Sequence, residues 1–381
     1  MTTFATVAGS HSPVRVVLVG AGAMGRNWMR VLTASPDAQL VGLVDLDVDL
    51  AGRVVAEAGL VDDVVVGADL LEVAEATRAD AVVNVTVPVA HYPVNTQALF
   101  AGLPVLCEKP IAPTVSQALA LAAAAEASGQ LLMTSQSRRY YRALSQLRSS
   151  LPAIGDIGIV TTEFYRAPHF GGFRDEMEQP LLVDMAIHAF DAARYLLGAD
   201  PTAVYCETFN PQWSWYEGDA AAFATFEFEG GVRYLFNGSW CSGGLQTSWN
   251  GSWRLSGSAG TASWDGESAP LIEGMDETAR PAAEIADFGG EEIAGALGEF
   301  ISAIRSGEIP SGEVHSNVLS LAMVEAAVQS AARGERVVIA DMLEEAYADA
   351  LGTQTRADIH SVLVEWGSAR AGLSGAASLS R

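Results

Sequence analysis

Val14-Arg15-Val16-Val17-Leu18-Val19-Gly20-Ala21-Gly22-Ala23-Met24-Gly25 decides the fold. The first six residues, mostly valine, read as a buried strand, and the glycine run after them opens a helix. A Gly-x-Gly-x-x-Gly turn between strand and helix is the context in which the motif binds a dinucleotide. Gly20 allows the tight turn, Gly22 lets backbone approach a pyrophosphate, and Gly25 lets the helix pack close to the strand. Ala23 and Met24 offer amide N–H groups at the positive helix end. About 20 residues on, the next strand, Leu40-Val41-Gly42-Leu43-Val44, ends in Asp45, where an acid hydrogen-bonds adenosine ribose hydroxyls. Its charge would repel a 2′-phosphate, and Leu46 and Asp47 follow it instead of an arginine. NAD is therefore favoured over NADP. The competing reading is a plain turn with Asp45 capping the next helix. It leaves the coincidence of strand, turn, helix and acid unexplained.

Outward from this unit, short β-branched runs alternate with helical stretches. Asp63 to Val66, Ala81 to Val85, Pro104 to Cys107 and Leu131 to Thr134 are the strands, and Thr114 to Ser128 is an Ala/Leu-rich helix. Near-continuous apolar strands alternating with helices mean a parallel sheet covered on both faces. The expected first domain is residues 14–136, a doubly wound α/β fold. After Arg139 the texture changes to aromatics and alternation, and six of the eight tryptophans lie between 213 and 264. Residues 221–232 read as an antiparallel hairpin around Gly230-Gly231. Helices are expected over 184–197, 292–306 and 316–333, and a loop over 267–291. The second domain is thus α+β, over 137–345, with a C-terminal extension over 346–381. Residues 1–13 read as a loose tail, and the end from Gly372 onward as a fraying one.

The chain carries 22 Lys+Arg against 46 Asp+Glu, a formal charge of −24. That surface repels nucleic-acid phosphates and anionic membranes, without excluding a local basic pocket. No run of 18 apolar residues suggests a membrane span. Three cysteines, an odd number with no Cys-x-x-Cys or Cys/His cluster, argue against a disulfide framework and a metal site, and suit the reducing cytoplasm.

A second carboxyl-end loop, Val85-Thr86-Val87-Pro88 with His91 beyond it, falls on the ligand side of such a sheet. Thr86 and Pro88 would border the cofactor. For His91 the alternative is an exposed first helical turn. Glu108-Lys109-Pro110 closes the following strand and delivers a lysine to the same side. Further on stand Asp184 and His188, four residues apart on one helix face. A histidine titrates near neutral pH and suits a base, and a lysine can steady a developing alkoxide. Asp184, His188, Asp191 and Tyr195 also form one polar stripe opposite Leu182, Ala186, Ala189, Ala193 and Leu197. Any solvated amphipathic helix looks like that. Arg166, His169 and Arg174 cluster in a loop with Gly171-Gly172, suited to substrate hydroxyls, a carboxylate or simply solvent. The tryptophans could stack on a sugar ring, although more of them are expected to pack a sheet face at a subunit contact.

The glycine turn, Thr86-x-Pro88-x-x-His91, Glu108-Lys109-Pro110 and Asp184-x-x-x-His188 occur in the order seen in the Gfo/Idh/MocA oxidoreductases. The resemblance covers roughly residues 14 to 342, including Phe300-Ile301-x-Ala303-Ile304-Arg305-x-Gly307 and Val324-Glu325-Ala326. It implies a Rossmann domain followed by a domain with an open-faced sheet, assembled through that face into a homodimer or homotetramer. It further implies that Lys109, Asp184 and His188 form the catalytic set, with Lys109 and Glu108 also bordering the cofactor. Arg139 and Arg166 would join the three in contacting substrate. The sequence departs from the family at Ala186, where many members carry glycine, and at Ser135-Gln136, where a Gly-aromatic pair is usual. The expected activity is NAD-dependent oxidation of a secondary hydroxyl on a sugar, cyclitol or related polyol. Two alternatives stay open. One is a retained NAD that oxidises a sugar transiently during glycoside cleavage or epimerisation. The other is a dinucleotide-binding regulator without catalysis, against which Lys109 and His188 argue.

Overall fold

The computed structural model describes residues 4–7, 12–274 and 288–377. Strands β1 (Val14–Val19), β2 (Ala38–Val44), β3 (Val65–Gly67), β4 (Ala81–Asn84), β5 (Val105–Glu108) and β6 (Leu132–Ser135) form one sheet in the order β3-β2-β1-β4-β5-β6. Every neighbouring pair in it is parallel. The chain reverses direction across the sheet at β1, so the carboxyl ends of β1 and β4 flank a topological switch point, where such sheets bind ligands. Helices α1 (Ala23–Ala34), α2 (Val48–Glu57), α3 (Leu70–Thr77), α4 (Pro88–Phe100) and α5 (Val115–Ser128) link the strands. Four of the five carry a local start signal. Asp47, Asp69 and Thr114 cap α2, α3 and α5 by accepting backbone N–H bonds, and Pro88 sits in the first turn of α4.

The second sheet has eight strands: β7 (Ile157–Tyr165), β8 (Pro201–Phe209), β9 (Ala221–Phe228), β10 (Arg233–Ser239), β11 (Ser252–Gly257), β12 (Gly260–Trp264), β13 (Leu271–Gly274) and β14 (Val337–Val338). Their order is β13-β12-β11-β7-β10-β9-β8-β14. Only the central β7–β10 pair is parallel. The expected β9–β10 hairpin turns at Gly230 and Gly231, both at positive φ. β13 falls where a loop was expected, and the rest of that loop, residues 275–287, lies outside the described residues. Helices α6 (Arg142–Ser150) and α7 (Ile187–Leu197) belong to this half, and a π-helical turn, Leu181–Ala186, runs directly into α7. The remaining helices are α8 (Glu292–Ser306), α9 (Val314–Arg333), α10 (Ile339–Thr353), α11 (Ala357–Trp366) and α12 (Ala369–Ala377).

The chain forms two compact units, and the division differs from a single cut near residue 137. Residues 1–137, 288–318 and 344–381 make the first, and 138–287 and 319–343 the second. Residues 288–318 and 344–345, expected in the second domain, and 346–381, expected as an extension, thus group with the Rossmann sheet. His315 shows why. It is buried, with Nδ1 2.6 Å from Glu313 and Nε2 2.9 Å from Glu126 of α5, while Trp366 of α11 donates to the other oxygen of Glu126. α12 is helical where fraying was expected, and Gly372 lies so close to Trp366 that a Cβ would sit 2.1 Å from its ring. Two residues before β1 are likewise held: Ala5 N–H donates to the Gly129 carbonyl and Val7 N–H to that of Ile304.

The tryptophans divide between interior and surface, with Trp213 69% exposed. Trp240, Trp253 and Trp264 are buried on the inner face of the second sheet, with Trp253 directly opposite Trp264. The outward face carries Phe209, Phe223, Tyr205 and Ile159 instead. Cys107, Cys206 and Cys241 are all free and buried, and burial pushes the Cys206 thiol up to about 12. Among the described residues no helix is long and apolar enough to cross a membrane.

Candidate active site

The three glycines of the turn have distinct surroundings. Gly20 has φ +111°, and a Cβ there would lie 2.9 Å from the Val85 carbonyl oxygen. At Gly25 a Cβ would come within 2.0 Å of the Gly20 carbonyl, so α1 can approach β1 only without a side chain. A Cβ at Gly22 would meet nothing. Its outer side is open space, as an approaching pyrophosphate needs. Gly22 is also the N-cap of α1 and supplies no side-chain acceptor, unlike the caps of α2, α3 and α5. The amides of the first turn thus keep their donors for an anion. Asp45 closes β2 with Oδ2 2.7 Å from the Ala21 N–H and Oδ1 2.9 Å from the Asp47 N–H. A carboxylate has about four lone-pair sites, so ribose hydroxyls can still be accepted. Asp47, not Asp45, caps the following helix. These features fit a dinucleotide.

The two later loops are braced from below. Asn84, fully buried at the end of β4, donates to Asn95 of α4 and accepts from the Thr86 hydroxyl at 2.8 Å. His91 is buried, so the exposed-turn alternative does not hold. Its Nδ1 lies 2.6 Å from the Pro110 carbonyl and its Nε2 3.0 Å from the Thr86 carbonyl. Burial lowers its pKa. His91 therefore ties the Thr86 loop to the Lys109 loop. Glu108 is held by the buried indole of Trp28, whose Nε1 donates to Oε1 at 2.8 Å, while Oε2 faces the Lys109 N–H at 3.2 Å. Lys109 is half-buried between these anchors. Sequence reading missed Trp28, Asn84 and Asn95. For Trp28 a signal existed: a tryptophan on the sheet-facing side of α1 must find an acceptor for its N–H.

In the second unit Asp184 lies in the π-helical turn and His188 in the first turn of α7. Asp184 accepts from Nε of Arg174 at 2.7 Å, with its side chain 16% exposed. Asp191 is 1% exposed, bound by Nε and Nη2 of Arg139 at 2.7 Å each and by the Ser320 hydroxyl at 2.6 Å. The polar stripe of this helix is therefore inward-facing, not solvated. His188 is half-buried and lines a cavity with Met185, Phe236, Trp249, Trp253 and Arg138. Arg139 is committed to the Asp191 pair. Arg166 gives Nη1 to the Thr247 carbonyl at 2.9 Å and stacks on Trp249, its guanidinium carbon 4.3 Å from the ring centre. His169 stacks on Trp215 and faces Asp175 at 3.2 Å. Arg138, passed over in favour of its neighbour, is the arginine that reaches the cavity.

Residues 14–136 match the family described as "Oxidoreductase family, NAD-binding Rossmann fold", and residues 150–263 match "GFO/IDH/MocA C-terminal domain". The chain belongs to the Gfo/Idh/MocA family of NAD-binding oxidoreductases. An uncharacterized protein of Sinorhizobium fredii is 28% identical over 349 residues, spanning 87% of this chain and 97% of its own. Inositol 2-dehydrogenase 4 of Saccharopolyspora erythraea is 36% identical over 200 residues, 51% of this chain and 57% of its own. The fold is shared with an inositol dehydrogenase homologue from Azotobacter vinelandii solved with NADH and myo-inositol. Its TM-score is 0.71 at 20% identity, covering 88% of this chain and 99% of that one.

Proposed function

We propose that this chain is an NAD-dependent dehydrogenase acting on a secondary hydroxyl of a sugar, cyclitol or related polyol. The observation that carries the reading is His188: a half-buried imidazole on a cavity wall, one turn beyond an ion-paired Asp184. The similarity to inositol 2-dehydrogenases supports the substrate class. NAD, when bound, supplies the hydride acceptor. In the proposed reaction His188 takes the hydroxyl proton as the C–H bond breaks, and Lys109 steadies the negative charge developing on that oxygen. Asp184, held by Arg174, charge-balances the imidazolium. Gly22, the amides of Ala23 and Met24, Asp45 and the Thr86–Pro88 loop hold the dinucleotide. His91 and Glu108 act by fixing the loops that carry Thr86 and Lys109. A panel of sugars and cyclitols with NAD and NADP, followed at the nicotinamide absorbance, tests the proposal. Turnover of at least one polyhydroxylated compound is expected, with almost none of 2-butanol. Equal kcat/KM for 2-butanol and the best polyol would overturn it.

A further inference from the structure

The cavity beside His188 contains a positive charge that no carboxylate among the described residues answers. Arg138 lies in the short turn Ser137–Tyr140 and lines this cavity. Its Nη1 donates to the Tyr141 hydroxyl at 3.0 Å, and its Nε is buried without an acceptor among the described residues. No carboxylate of the described residues pairs with it, and no Asp or Glu lines the cavity. Its neighbours behave differently. Arg139 is paired with Asp191, Arg174 with Asp184, and Arg194 with Asp200. Arg166 resembles it: its Nε is also buried without an acceptor among the described residues, and it stacks on Trp249, a wall of the same cavity. Arg138 is thus the one arginine lining this recess, with Arg166 behind its Trp249 wall, in a chain with a formal charge of −24. Asn250, another wall residue, adds a buried Oδ1 without a donor among the described residues.

A partly buried guanidinium is expensive unless an anion answers it. The planar fork of Arg138 matches a carboxylate in shape as well as charge. The aromatic walls offer flat faces to ring C–H bonds. We propose that the substrate is a polyhydroxylated carboxylic acid, a uronate or aldonate, whose carboxylate is bound by Arg138 beside His188. The assignment deepens the dehydrogenase reading and rests on it. It makes Arg138 the residue that separates sugar acids from their neutral counterparts.

The test compares D-glucuronate with D-glucose, D-galacturonate with D-galactose, and D-gluconate with D-sorbitol. Initial rates are measured with NAD. Binding to the NAD-loaded protein is read from quenching of tryptophan fluorescence, since Trp249, Trp253 and Trp264 surround the recess. One charge-assisted contact corresponds to an advantage on the order of 10- to 100-fold in kcat/KM for the acid of the favoured pair. In Arg138→Gln that ratio should collapse towards one, and Arg138→Lys should restore part of it. An unchanged ratio in Arg138→Gln, or a neutral sugar used as well as its acid, overturns the inference and leaves the dehydrogenase reading standing. So does a larger advantage for glucose 6-phosphate than for glucuronate. Saturable, Arg138-dependent binding of an acid with no turnover of any compound supports the inference and overturns the dehydrogenase reading. Acids that neither bind nor react overturn the inference.

Discussion

The roles of single residues separate by what their atoms already touch. Lys109→Ala and His188→Ala should each lower turnover roughly 100-fold or more. Titration with NAD should show binding retained, most clearly for His188→Ala, because neither residue belongs to the glycine turn. Near-parental turnover in either variant would remove that residue from the proposed mechanism. Asp45→Ser should relax the preference for NAD over NADP in a steady-state comparison, by removing both a ribose acceptor and the charge facing a 2′-phosphate. It also removes the 2.7 Å acceptor of the Ala21 N–H, so NAD affinity should fall as well. At this scale the sequence was informative where a residue type has one use. The spacing of Gly20, Gly22 and Gly25 implied three backbone roles, and the structure has the tight turn at Gly20 and the close packing at Gly25, with open space beside Gly22. It was ambiguous where the residue type has several. Arg138 and Arg139 are adjacent and chemically identical, and only the direction of a short turn sends one to Asp191 and the other to the cavity.

Among the elements, α11 and α12 are bound to the Rossmann unit by a buried charge. Burial alone would push the His315 pKa down. The facing carboxylates of Glu313 and Glu126 outweigh it and raise the value to about 10, so the ring is an imidazolium at neutral pH. A raised folded-state pKa contributes stability that is complete below the unfolded value, near 6.5. That contribution declines above it and is gone once pH passes the folded value of about 10. Removing one partner of a buried pair costs about 3–5 kcal/mol. Thermal unfolding of His315→Gln should therefore show its largest deficit near pH 6, and the gap to the parent should close as pH approaches 10. A deficit independent of pH would mean the ring acts by packing alone. Gly372→Ala should destabilise by about 1–3 kcal/mol, because the new methyl must displace the Trp366 ring. None of this docking was legible beforehand. Glu126 and Trp366, the extremes of this cluster, are 240 residues apart in sequence, and no periodic pattern links them to His315. The alternation of β9 and β10, by contrast, is local and was readable, as was the helix over 292–306.

For the whole molecule, the open face of the second sheet sets the expectation. Phe209 and Phe223 form an outward aromatic pair with centroids 5.5 Å apart, and Tyr205 and Ile159 are also on the exposed surface. Exposed apolar patches on soluble chains commonly mark contact sites, and we expect a homodimer or homotetramer assembled through this face. Light scattering should give twice or four times the chain mass, and Phe223→Glu should shift it towards one. A monomeric parent at micromolar concentration would rule this assembly out. Of the tryptophans expected there, Trp240 and Trp253 are buried within the chain, and Trp213 is 69% exposed. Composition identified an aromatic-rich sheet but not which face was aromatic, because the parity of each strand is set by pairings such as Trp253 with Trp264. The thiols carry a consequence of a different kind. With Cys107, Cys206 and Cys241 all in the interior, the native chain should be silent to maleimide dyes and to Ellman's reagent until it unfolds. A reporter cysteine can then be placed at Leu46 in one unit and at Leu245 in the other, both fully surface-facing, without stripping the native sulfurs. Each dye would then report on the surface of its own unit, against a background free of label on the native thiols.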